Sequence, residues 1–173
     1  MTLQRAVVEE IPLHGGSLHL SIAREESAKP ETSVEMALQK EEKAGMDRMD
    51  FYAEFARRVG ETREKLRSLL ESIRKEGKTV AAYGAAAKGT VLMNYCGIGP
   101  WIEFVADRSP YKQGLYVPGV QLPIFPPARL MEKRPDYTLI LPWNIADEIM
   151  TQLAEYRRRG GRFIIPIPEP KVV

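Results

Sequence analysis

The sequence predicts an α/β fold: a mainly parallel five-stranded sheet with helices on both faces, preceded by an N-terminal β-hairpin and a long connecting helix. Three observations carry that expectation. From residue 79 onward, short apolar runs alternate with helical stretches, the pattern of strands covered on both faces by crossover helices. Before them, residues 47–75 keep an apolar stripe at helical spacing. At the start of the chain, two strand-like runs are separated by Pro12 and the Gly15-Gly16 pair, which break any continuous element.

In chain order, residues 6–8 and 17–22 form the hairpin, which needs other structure to lie against because two strands alone are not stable. Pro30, Thr32 and Ser33 open a helix that runs through about Lys43. The long helix of residues 47–75 sets Phe51, Phe55, Val59, Leu66, Leu69, Leu70 and Ile73 near one face, with charges opposite and Gly60 as its weak point. That is a connecting helix packed on a sheet. Strands are expected over residues 79–83, 102–106, 121–123, 137–141 and 162–166, with helices over 88–95, 127–133 and 145–159. Right-handed crossovers place the loops after such strands on one edge, where ligands of Rossmann-like sheets bind. The chain then divides into a hairpin over residues 1–25, a helical connector over 26–78 and a Rossmann-like domain over 79–173.

Composition narrows the function. Hydrophobic residues at 44% and charged residues at 28% exclude wholesale disorder. With 25 basic residues offset by 23 acidic ones, no nucleic-acid footprint emerges, and Arg157, Arg158 and Arg159 read as complements to a helix dipole. Cys96 is the single cysteine, which rules out an internal disulfide and argues against a cysteine-based metal site; it reads as a small buried hydrophobe. No apolar run reaches the roughly 20 residues that span a bilayer. With no signal-peptide pattern either, a cytoplasmic protein without a membrane partner is expected.

The richest segment is VAAYGAAAKGTVLMNYCGI, residues 80–98: a buried strand, a small-residue loop with one lysine, and a helix whose free N–H groups favour an anion. It matches neither common fingerprint. Ala86 stands where a GxGxxG loop has its second glycine, and Lys88 precedes Gly89 where a P-loop lysine follows its glycine. Gly84, Ala85, Ala86 and Gly89 either admit a phosphate to the backbone beside the charge of Lys88 or simply pack the helix on the sheet. Asp107, 23 residues after Gly84, stands where dinucleotide folds place a ribose acceptor. It serves equally as the cap of a turn at Ser109-Pro110, with Arg108 holding its carboxylate. Tyr111, Lys112 and Gln113 are expected on a flexible loop. Asn144 with Asp147 reads as a helix cap, and Trp143 as an apolar wall for a base or sugar. Glu169 is expected at a solvated terminus.

Together with LHGGSLHL (13–20), FVADRSPYKQGLYVPG (104–119), PDYTLILPWNIADEI (135–149) and GGRFIIPIPEP (160–170), this segment resembles the C-terminal domain of the sugar C-methyltransferase family. These enzymes use S-adenosylmethionine to methylate a carbon of a nucleotide-linked deoxy-keto-sugar. The resemblance spans about residues 7–170 and implies a substrate-binding domain for a nucleotide-linked sugar, a dTDP-sugar. It further implies that the hairpin is the end of the methyltransferase domain's sheet, seeking a methyltransferase subunit or a second copy. His14 is then a structural group and His19 a surface residue. The family's zinc cysteines, S-adenosylmethionine loop and Tyr-x-Glu-His catalytic motif have no counterpart in these 173 residues. This chain alone is therefore expected to bind no cofactor and to supply no catalytic residue, with S-adenosylmethionine implied for the complete enzyme. The rival readings are an NAD(P)-binding oxidoreductase domain and a non-catalytic interaction module.

Overall fold

Alternation sets the register of the first two strands. In the computed structural model, which describes residues 3–13, 16–27 and 29–173, β1 (Leu3–Ile11) and β2 (Ser17–Arg24) pair antiparallel, with Val8 opposite Leu20 and Glu10 opposite Leu18. A register shift between Arg5 and Val7 marks a bulge at Ala6, whose carbonyl accepts the Glu31 N–H at 2.8 Å. The Ser33 hydroxyl accepts the Val8 N–H at 3.2 Å, and these two bonds fasten α1 (Thr32–Lys43) to β1. The strands run longer than the sequence pattern suggests, because polar residues at β-bonded positions extend the ladder past its apolar centre. His14 and Gly15 lie outside the described residues.

The chain forms two compact units, Met1–Arg58 and Val59–Val173. The long helix α2 (Met49–Lys75) begins in the first and ends in the second. Its apolar stripe is only partly used: Leu66, Leu70 and Ile73 are buried, whereas Phe55 is exposed.

In the second unit, β3 (Val80–Tyr83), β4 (Val105–Ala106), β5 (Ile124–Phe125), β6 (Tyr137–Ile140), β7 (Arg162–Ile165) and β8 (Lys171–Val172) form one sheet in the order β5-β4-β3-β6-β7-β8. The first five are parallel, as expected. The sheet is nevertheless six-stranded: residues after Pro170 turn back and pair antiparallel with β7, a two-residue strand too short to show a pattern. The strand expected over 121–123 lies instead at β5. Gln121 adopts φ 54°, and Pro123 has no N–H to give a ladder, so regular pairing begins only at Ile124.

Strand alternation divides the core in two. Val80 and Ala82 face Leu66, Leu70, Ile73 and Met93, from α2 and from α3 (Ala87–Cys96). Ala81 and Tyr83 face Leu130, Ile149 and Tyr156, from α4 (Ala128–Lys133), α5 (Ala146–Gln152) and α6 (Ala154–Arg158). The single helix expected over 145–159 is thus two. The Thr151 hydroxyl donates to the Asp147 carbonyl at 2.8 Å, a back-bond that bends helices, and Leu153 serves as the joint. Cys96 is buried, and burial pushes its thiol pKa up.

Candidate functional site

The strand order locates the site. From β3 the chain moves outward through β4 and β5, then crosses back to β6 on the other flank of β3. The crevice beyond the carboxyl ends of β3 and β6 is therefore a topological switch point, where ligands of open α/β sheets bind.

Residues 84–89 leave β3 into this crevice. Gly84 has φ 88°, and a β-carbon there would sit 2.4 Å from Pro142 Cγ in the loop after β6, so only glycine turns the chain this tightly. Gly89 is equally constrained: a β-carbon would come within 2.6 Å of Leu141 Cβ. Ala85 and Ala86 lead into α3, whose N-cap residue, Ala86, offers no side-chain acceptor to the first turn.

Lys88 crosses the switch point. Its ammonium lies 4.5 Å from the centre of the Trp143 ring and donates to Oδ1 of Asn144. Among the described residues no carboxylate pairs with it, and burial holds its pKa below the ordinary lysine value. Asn144 is therefore not the expected helix cap: it lies in the 3₁₀ turn Trp143–Ile145, and α5 shows no side-chain capping bond. Its carbonyl holds the lysine instead.

Asp107 follows β4 and is 7% exposed. Oδ2 accepts the Ala85 N–H at 2.6 Å, and Oδ1 accepts the Ser109 N–H at 2.7 Å, which closes the turn. The cation on this carboxylate is Lys112, at 3.2 Å, rather than Arg108, whose Nη1 donates to Gln152 Oε1 at 3.2 Å. Lys112 also donates to the Ala85 carbonyl at 2.9 Å, and the Gln113 side chain donates to the Asp107 carbonyl at 3.0 Å. Both residues are thus anchored, not free on a flexible loop. Spacing alone gave no sign of this; a lysine five residues after the acid is informative only once the turn at Ser109 is known. Asn94 holds the next stretch of the same loop, donating to the Pro118 carbonyl at 2.9 Å. Glu169 pairs with Lys65.

Gly84, Ala85, Ala86, Lys88 and Gly89 thus follow β3 at the switch point, where Lys88 meets Trp143 of the loop after β6 and Asp107 holds the Ala85 N–H, while Arg108 bonds Gln152 of α5. Among the described residues, no three His, Cys, Asp or Glu side chains converge as a metal site, and no helix is long and apolar enough to cross a membrane.

Fold and crevice define a Rossmann-like domain with a basic, small-residue loop at its switch point. The family model of the C-methyltransferase C-terminal domain matches residues 12–168, and the chain belongs to that family. It is 39% identical over 170 residues to the C-methyltransferase NovU of Streptomyces niveus, an alignment covering 96% of this chain and 40% of that protein. The chain thus spans about two fifths of the length of this relative.

Proposed function

We propose that the domain binds a nucleotide-linked sugar, a dTDP-sugar, for a sugar C-methyltransferase of deoxysugar biosynthesis in the cytoplasm. One observation carries the reading: Lys88, which has no carboxylate partner among the described residues, stands at the uncapped start of α3 and spans the switch point. The diphosphate would lie against the N–H groups of the first turn, drawn by the helix dipole and the ammonium. Trp143 offers an apolar wall to the sugar or base, and Arg108 a further donor.

Methyl transfer itself is assigned to a methyltransferase portion outside these 173 residues. The glycine loop does not suit S-adenosylmethionine, since the acid that would take its ribose hydroxyls is already bonded within the chain. The hairpin supplies a place for that portion, or for a second copy, to join. β2 presents Leu18, Leu20 and Ile22, each between 44% and 61% exposed, on one face, and its edge away from β1 pairs with no strand among the described residues, which suits sheet extension.

Calorimetric titration of the full chain with a thymidine-diphosphate sugar tests the reading. Saturable binding that weakens by about tenfold or more in Lys88→Ala is the expected result, the loss of one charge-assisted contact to phosphate. Preferential binding of NAD would favour the oxidoreductase reading, and binding of neither would leave an interaction module. Methylation of a nucleotide-sugar by the chain alone would overturn the division of labour.

A further inference from the structure

An acid at the end of the second strand of a dinucleotide-binding sheet holds the adenosine ribose through its two hydroxyls. Asp107 has that place and none of that freedom. Its oxygens take the Ala85 N–H, the Ser109 N–H and the Lys112 ammonium, at 2.6, 2.7 and 3.2 Å. A carboxylate has roughly four acceptor directions, and a bidentate ribose needs one on each oxygen with open approach. Only 7% of Asp107 is exposed. Lys112, meanwhile, grips Ala85 from the other side through its carbonyl, at 2.9 Å.

We infer that Asp107 and Lys112 are positioning residues that clamp both backbone polar groups of Ala85, fix the shape of the glycine loop and close the ribose position of an adenosine cofactor. The inference rests on reading residues 84–89 as a diphosphate loop. It deepens that reading, because a loop held this way accepts a diphosphate carrying a sugar and rejects a dinucleotide. Without the clamp, Ala85 N–H and C=O would each need another partner, and the loop would sample shapes in which the first turn of α3 is no longer presented to phosphate.

Asp107→Ala is the sharpest test, since it removes at once the acceptor of the Ala85 N–H, the Ser109 N–H and the Lys112 ammonium. Hydrogen exchange at the Ala85 amide should speed up by about tenfold or more, and binding of a thymidine-diphosphate sugar should weaken by about tenfold. Lys112→Met should reproduce a smaller part of both effects, and Lys112→Arg should restore most of the loss. NAD should show no saturable binding to the unaltered chain. Unchanged Ala85 exchange in Asp107→Ala would overturn the clamp, and NAD binding abolished by that same substitution would show Asp107 to be a ribose acceptor after all. If the unaltered chain takes up no nucleotide-sugar while Asp107→Ala still speeds Ala85 exchange, the ligand reading fails and the clamp stands.

Discussion

Lys88 and Gly84 show how much depends on single residues at the crevice. Burial lowers the Lys88 pKa from its ordinary 10.5, so its proton leaves at a lower pH than that of a surface lysine. Affinity for a diphosphate is greatest while the ammonium is charged. It should therefore fall as pH rises through the lowered value, and Lys88→Arg, whose guanidinium stays charged, should carry binding to higher pH. Dissociation constants measured from neutral pH to about 10.5 check this, and equal pH profiles for the two proteins would refute it. Gly84→Ala combines a left-handed backbone with a β-carbon 2.4 Å from Pro142 Cγ, and should cost about 2–4 kcal/mol in urea unfolding. The turn between β3 and α3 was legible in the sequence because small residues between an apolar run and a helical stretch mark a tight strand-to-helix connection. The partners of Asn144 and Lys112 were not, because each bond joins loops whose approach is set by strand order.

At the scale of elements, legibility followed the length of the pattern. The parallel strands β3, β6 and β7, four residues each and bounded by breakers, fell where apolar runs placed them. β5 and β8, two residues each, are fixed by neighbours rather than by their own composition. Asp136 shows a neighbour acting in this way at the other end of the sheet. Just before β6, it accepts the Thr79 N–H at 2.9 Å, the Thr79 hydroxyl at 3.0 Å and the Lys78 ammonium at 3.0 Å, aligning β3 with β6. The Thr79 backbone N–H, above all, holds its carboxyl pKa below the ordinary 3.8. Removing the acceptor in Asp136→Ala should cost about 1–3 kcal/mol near neutral pH. The pKa is lowered on folding, so this contribution is complete above the unfolded value and is lost as pH falls through the folded one. Urea titrations at descending pH should show the two proteins converging only in that acid range. A stability gap that persists below it would mean that the aspartate contributes packing rather than charge.

At the scale of the whole molecule, the two units differ in what they bury. Among the described residues of Met1–Arg58, only Ala6 and Val34 are buried hydrophobics, whereas Val59–Val173 holds both core clusters. The first unit also leaves Leu18, Ile22, Met36, Met49 and Phe55 more than half exposed. Each fully buried large aliphatic or aromatic side chain contributes about 1.5–3 kcal/mol, so nearly all of the stabilising burial belongs to the second unit. The first should open locally far more often than the molecule unfolds as a whole. Brief trypsin digestion of the full chain should therefore cut within the first unit and leave a resistant fragment that begins near the boundary at Val59. The fragment should keep the thermal midpoint of the full chain, since that transition reports the two-sided core. It should also keep nucleotide-sugar binding, because every residue assigned to the crevice lies beyond the boundary. A partner strand or methyltransferase portion that covers β2 should slow the first cuts without moving that midpoint. Equal cleavage rates in both units, or a fragment that melts well below the full chain, would show that the hairpin and the first half of α2 stabilise the sheet after all.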